Sequence, residues 1–193
     1  RTPNGWLIML PGPPRELRPM YTDSVAPLLK EKLPVENPIH ISTLKTLGIG
    51  ESSLEERIAS PLAELLDAGL EIGYCARMGE VDLRLVSHGD GAGELIERAE
   101  AIVHEHVGNF IYGRGDDRLE EVMVRELTKR GLTLAVAESC TGGFLAHRIT
   151  NVSGASAVFL AGHCTYSNEA KQSTLGVKPE TLSAQGAVSE AVA

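Results

Sequence analysis

The chain has 193 residues, of which 42% are hydrophobic, and a formal net charge of -8, which suits one or two soluble domains with adequate cores. The acidic balance argues against a general nucleic-acid binder, because affinity for phosphate backbones comes from clustered Lys and Arg and no basic stripe is present. Three cysteines, Cys75, Cys140 and Cys164, are too few and too scattered for a disulfide framework or a paired-cysteine metal site, no apolar run approaches the roughly 18 residues of a spanning helix, and no signal peptide is visible, so a reducing, cytoplasmic compartment is expected. The chain starts at Arg1 without an initiator methionine and stops at Ala193 directly after a helix-start signal, which predicts a piece of a longer protein.

In chain order, residues 5–10 (Gly-Trp-Leu-Ile-Met-Leu) read as a buried strand that ends in the rigid turn Pro-Gly-Pro-Pro at 11–14. Two short helical pieces follow, 15–20 and 25–32, interrupted by prolines, and then a linker at 33–38 marked by its two prolines. A compact unit runs from there to about Gly113. In it, residues 40–47 alternate as a strand, and Ser52 or Ser53 starts a helix whose Leu54, Ile58, Leu62 and Leu65 share one face. Pro61 is expected to bend or divide that helix. Residues 70–77 and 81–86 alternate with period two about Met78, Gly79 and Glu80, as a hairpin does, and Leu95, Ala99, Ile102, Val103 and Val107 mark a last amphipathic helix.

Several polar residues here carry no chemistry. His104 and His106 fall on different faces of a helix and cannot grip one metal as an i, i+4 pair would. His163 and Cys164 are strand neighbours that point to opposite faces. Asp116, Asp117, Glu120 and Glu121 precede the helix at 122–129, where acids most often cap. No phosphate-binding loop or dinucleotide fingerprint occurs, so nucleoside triphosphate and dinucleotide cofactors gain no support.

The last unit begins near Gly115, with Leu119, Val122, Met123, Glu126 and Leu127 on its first helix. Residues 132–137 then form an apolar run of the kind that fills a covered sheet, and 144–149 show helical spacing. Between them lies Glu-Ser-Cys-Thr-Gly-Gly (138–143). Ser139 or Thr141 can cap the helix, while Gly142 and Gly143 let backbone approach a ligand and leave N–H groups pointing outward. The bland alternative is that the hydroxyls are only caps and the glycines only a tight turn. Residues 155–166 read as a second buried strand, and 167–172 open another helix with Lys171 in its first turns.

If the two strands are parallel in one sheet, Ser139 and Lys171 both project from its carboxyl edge, where open α/β sheets bind ligands. A lysine at a helix start is electrostatically misplaced, and a desolvated lysine can serve as the general base that a serine nucleophile needs. Tyr166 can donate or relay a proton or simply end the strand. Cys140, also near the helix start, is the competing nucleophile.

Ala-Glu-Ser-Cys-Thr-Gly-Gly (137–143), Ile-Thr-Asn-Val-Ser-Gly-Ala-Ser (149–156), Thr-Tyr-Ser-Asn-Glu-Ala-Lys (165–171), Leu-Gly-Val (175–177) and Gly-Ala-Val-Ser-Glu (186–190) match in order over roughly eighty residues. In these motifs the chain resembles the nicotinamide-nucleotide amidohydrolase domain of the CinA family. The resemblance implies conversion of nicotinamide mononucleotide to nicotinate mononucleotide and ammonia, with Ser139 as nucleophile, Lys171 as base and Tyr166 in support. It also implies substrate binding by Cys140, Thr141, Gly142, Gly143 and Asn168, and neither metal nor organic cofactor for this step.

The order strand, helix, strand, strand, helix is similar to the family's KH-like middle domain, and residues 5–32 resemble the close of its amino-terminal, molybdopterin-binding-like domain. That domain carries an ADP-ribose pyrophosphatase that needs a divalent metal; most of it is absent from this chain, so the activity is not expected here. The expected fold class is therefore α/β, with an α/β sheet domain at 114–193 preceded by a small α+β KH-like domain at 37–113 and a remnant of an α/β domain at 1–36. KH modules that bind RNA clamp phosphates with a basic Gly-x-x-Gly loop. The loops Gly-Ile-Gly-Glu (48–51) and Gly-Asp-Gly-Ala-Gly (89–93) lack that spacing and carry acid, so no nucleic acid is expected and a spacer or homodimer-forming role fits better. In the family a Gly-x-x-Gly-Pro segment follows the region where this chain stops and contributes to the pocket. The alternative from another class is a non-catalytic nucleotide-binding scaffold linked to DNA uptake or damage response.

Overall fold

A computed structural model describes residues 5–33 and 37–193; the middle of the expected linker, residues 34–36, lies outside the described residues. The chain is mixed α/β, as expected, and divides into two compact units: Arg1–Thr43, Gly50–Cys75 and Leu83–Gly108 form one, and Leu44–Ile49, Ala76–Asp82 and Asn109–Ala193 the other.

In the first unit, residues 6–10 are not a strand. They form no ladder, and the side chains of residues 6–9 are exposed, Met9 at 83%, because an apolar run becomes a strand only where neighbouring strands take up its N–H and C=O groups. Helices α1 (Pro14–Met20) and α2 (Ala26–Lys32) are not separate pieces but are joined through a π-helical turn, Tyr21–Val25. Pro27 has no N–H and crowds the carbonyl four residues back, so the turn widens and the Ala26 N–H bonds to the Tyr21 carbonyl instead.

Strand β1 (Ile39–Leu47) leads to helix α3 (Glu51–Asp67), then strands β2 (Glu71–Arg77) and β3 (Glu80–His88) and helix α4 (Ala92–Val107). Gly79, with φ +77°, occupies the hairpin turn, where a side chain would be strained. Together with β4 (Ile111–Arg114), antiparallel to β1, these strands make a four-stranded sheet in the order β2-β3-β1-β4. Helix α3 starts at Glu51 rather than at Ser52 or Ser53, with Gly50 before it and no side-chain cap.

Pro61 does not divide α3. An interior proline costs about 3 kcal/mol, but Ile58 and Leu62 on either side of it are fully buried, each contributing about 1.5–3 kcal/mol, and so the helix holds. Helix α4 packs against α3 through Ile96, Ala99, Val103 and Val107. Leu62→Ala should therefore cost about 2–5 kcal/mol, read as a lower unfolding midpoint in urea, whereas Leu66→Ala, at a partly exposed position, should cost under about 1 kcal/mol. Equal losses would mean that the α3 face is not the core.

The second unit adds helix α5 (Leu119–Arg130), strand β5 (Leu134–Glu138), helix α6 (Phe144–Thr150), strand β6 (Phe159–Cys164) and helices α7 (Asn168–Leu175) and α8 (Pro179–Gln185). Asp116 and Asp117 precede α5, whereas Glu120 and Glu121 lie in its first turn. Arg118 holds the cap position without a side-chain bond, while Asp117 pairs with Arg125 at 3.3 Å and Glu120 with Arg148 at 2.8 Å. Strands β5 and β6 form a two-stranded parallel sheet in which Ala135 opposes Ala161 and Glu138 opposes Cys164. Val124, Ile149 and Val158 build the core beneath it, with Leu134, Val136 and Phe159 pointing in. A Cβ at Gly162 would stand 3.0 Å from that of Ala146, so glycine lets β6 run close against α6.

The strands are shorter and barer than expected. Residues 155–157 form a 3-10 turn, and β6 begins at Phe159. Ala135 and Ala137 are exposed and Leu160 is 69% exposed, because one face of the pair packs on the helices and the other is left uncovered by the described residues. An apolar run does not reveal whether one side or both will be covered. Among the described residues no helix is long and apolar enough to cross a membrane.

Candidate active site

Strand β5 stops at Glu138 and the chain turns through residues 139–143 into α6. The Gly142 N–H donates to the Ser139 carbonyl at 2.9 Å and the Phe144 N–H to the Thr141 carbonyl at 3.1 Å. Gly142 and Gly143 both have φ in the left-handed region, +63° and +92°, which glycine adopts without the strain that a side chain brings. Neither Ser139 nor Thr141 caps the helix; Gly143 stands at the cap position without a side-chain bond.

The capping acceptor is Glu138, a residue that sequence spacing alone does not single out. Its Oε2 accepts from Thr141 Oγ1 at 2.7 Å and from the Leu145 N–H at 2.8 Å, and its Oε1 accepts from the Ala146 N–H at 2.8 Å. The clue available in the sequence is a lone acid closing an apolar strand ahead of a glycine turn. The residue is only 7% exposed. Burial works to raise the Glu138 carboxyl, but bonds from Thr141 and then from the Ala146 and Leu145 amides outweigh it and hold the group below its ordinary value of 4.5.

The sign follows from that depression. The anchoring is in force above the unfolded value and is lost as pH falls through the lower folded value. Urea melts between about pH 7 and about pH 3 should show stability falling on acidification more steeply for the natural chain than for Glu138→Gln. Parallel slopes would show that these bonds do not discriminate the folded carboxylate.

The second junction repeats the first. Strand β6 ends at Cys164, Ser167 caps α7 by accepting from the Ala170 N–H at 3.1 Å, and Lys171 lies one turn in. Because the strands are parallel, the two junctions lie at the same end of the sheet, and Lys171 reaches back across it. Its Nζ donates to Ser139 Oγ at 3.0 Å, to the Thr165 carbonyl at 2.5 Å and to the Tyr166 carbonyl at 3.3 Å. Lys171 is 6% exposed, and none of these three partners is a carboxylate. The two carbonyls hold the amine in one position, and that position faces the serine hydroxyl.

A cavity of about 530 Å³ opens over the pair, within the range of small-molecule sites. Ser139, Cys140 and Lys171 line it together with Glu138, Thr165, Leu175 and Val177, and the segment 187–193 supplies a further wall through Val188, Ser189, Glu190 and Val192. The motif at 186–190 thus falls on the cavity wall, a place that its sequence alone does not reveal. The other expected residues are placed differently. Thr141 spends its hydroxyl on Glu138, and Gly142 spends its N–H on the turn. Tyr166 is 72% exposed, and it touches the pair through its carbonyl; among the described residues no hydrogen bond joins its hydroxyl to Ser139 or Lys171. Asn168 opens α7 as an exposed residue outside the cavity lining. Cys140 is an exposed thiol. Among the described residues no group of three or more His, Cys, Asp or Glu could hold a metal ion.

Comparison with known proteins agrees along most of the chain. The model of the CinA C-terminal domain matches residues 116–193, and that of the damage-inducible protein CinA KH domain matches residues 42–113. A CinA-like protein of Gemmatimonas aurantiaca is 45% identical over 97% of this chain and 44% of its own length, and one of Akkermansia muciniphila is 45% identical over 96% of this chain and 43% of its own. The chain thus spans less than half the length of these relatives. A crystal structure of the competence/damage inducible protein CihA from Agrobacterium tumefaciens aligns over 38% of this chain and 45% of that one, at 44% identity and a TM-score of 0.38.

Proposed function

Because the chain belongs to the CinA family, we propose that its carboxy-terminal unit is an amidohydrolase that converts nicotinamide mononucleotide to nicotinate mononucleotide and ammonia. The observation that carries this reading is the 3.0 Å contact between Lys171 Nζ and Ser139 Oγ. A neutral lysine has two N–H bonds and one lone pair. With Nζ unprotonated, the Thr165 and Tyr166 carbonyls take the two N–H bonds, and the Ser139 contact, a donation from Nζ when the amine is protonated, reverses so that the hydroxyl donates to the lone pair.

The chemistry then runs in balanced steps. Lys171 takes the proton as Ser139 Oγ attacks the carboxamide carbon, and the negative charge moves to the carbonyl oxygen. As that intermediate collapses, the C–N bond breaks, and Lys171 returns the proton to the departing ammonia. Water, deprotonated in turn by Lys171, cleaves the acyl-enzyme to the carboxylate and frees Ser139. The N–H groups of Cys140, Thr141 and Gly143 are the candidate oxyanion donors, since among the described residues the structure shows them no other acceptor. The steps as written call for no metal or organic cofactor. The family's ADP-ribose pyrophosphatase and its divalent metal enter this proposal only as the partner half of a longer protein.

The test is ammonia release from nicotinamide mononucleotide by the full-length protein, with nicotinate mononucleotide formed in equal amount. Binding without turnover would favour the scaffold alternative. Neither binding nor turnover would sink the amidohydrolase assignment.

A further inference from the structure

We infer that Glu138 is a positioning residue for the Ser139–Lys171 pair, holding the serine through its side chain and the lysine through its main chain. It rests on the amidohydrolase reading for its kinetic arm and on geometry for the rest. On the serine side, the carboxylate bonds Thr141 Oγ1 and the Leu145 and Ala146 N–H groups, so one side chain grips the turn at 141 and again at the start of α6. Ser139, between that grip and the end of β5, has little freedom left.

On the lysine side, the Glu138 carbonyl accepts from the Thr165 N–H at 2.8 Å, and the carbonyl of the same Thr165 holds Lys171 Nζ. Glu138 is thus bonded to both junctions that bear the pair, through its side chain to the first and its carbonyl to the second. Three donors within 2.8 Å commit it as an acceptor and leave it unsuited to carrying a proton. They also withdraw the Leu145 and Ala146 N–H groups from any anion of the substrate.

Displacing a reacting group by about 1 Å can cost about a hundredfold in rate. In the full-length protein, Glu138→Gln keeps the shape but puts an amide NH2 where at least one donor now points. We expect kcat to fall about tenfold to a hundredfold with KM held within about threefold. A second readout does not depend on the amide substrate: labelling of Ser139 by a fluorophosphonate, in which the Oγ–P bond forms, fluoride leaves and Lys171 takes the proton. Its rate should fall by the same factor while the unfolding transition stays cooperative.

A folded Glu138→Gln protein with kcat and labelling within about twofold of the natural protein overturns the inference. So does a raised KM at unchanged kcat, or a fall in kcat without one in labelling. If Glu138→Gln does not fold, Thr141→Val decides, since it removes one of the three bonds; a drop of about threefold to tenfold in both readouts supports the inference and no drop overturns it. A natural protein that labels at Ser139 but releases no ammonia sinks the amidohydrolase reading alone, and the labelling arm still tests Glu138. One that does neither sinks both.

Discussion

Ser139→Ala should lower turnover of nicotinamide mononucleotide by about a thousandfold or more, while Cys140→Ala should reduce it only mildly. The two side chains are neighbours, and both line the cavity. The difference between them is the base: Lys171 Nζ bonds Ser139 Oγ, whereas Cys140 is a free, exposed thiol with no such bond among the described residues. Alanine at 140 keeps the main-chain N–H, so a candidate oxyanion donor survives. Steady-state kcat for both variants, beside unfolding midpoints to show that each is folded, checks the assignment. A dead Cys140→Ala beside an active Ser139→Ala would reverse it.

Lys171→Arg is the second large loss. Arginine keeps the positive charge but does not deprotonate, so a role in charge alone survives the change and a role as base does not. General-base removal costs about a hundredfold to ten-thousandfold, and we expect a fall in kcat in that range. The fit adds to it, because the Thr165 and Tyr166 carbonyls accept from a single nitrogen and a planar guanidinium cannot take that place. Near-normal turnover in Lys171→Arg would remove the base from the mechanism and leave Ser139 unexplained.

Much of the site was legible because it is built from the same local unit twice: an apolar run, a turn of small or hydroxyl residues, and a helix. Once β5 and β6 prove parallel, the two turns fall at one end of the sheet and bring Ser139 and Lys171 together. Glu138 was not legible in the same way. Its partners lie three, seven and eight residues onward, and which of them a carboxylate meets depends on how the chain leaves the two glycines. Tyr166 shows the reverse limit. Its place in the motif suggests a working hydroxyl, yet its contact with Lys171 is made by the main chain, a contact that any residue type at that position could make.

The fold errors share one cause. Residues 6–10, 132–137 and 155–166 are all apolar, and apolarity states what a segment can bury without saying what is there to bury it. Among the described residues, 6–10 find no strand partners and 6–9 stay bare, while β5 and β6 find one layer of helices and stay half bare. Prolines misled in the opposite sense. Pro61, expected to bend or divide α3, leaves it undivided because its neighbours are buried, and a widened turn carries the helical run past Pro27.

The wall formed by residues 187–193 bears on how the protein is handled. Val192 and Ala193 border the cavity, so whatever is joined after Ala193, by nature or by cloning, departs from its rim. A purification tag fused at that end would crowd the entrance. Probes attached beyond Ala193 would, for the same reason, report ligand arrival directly.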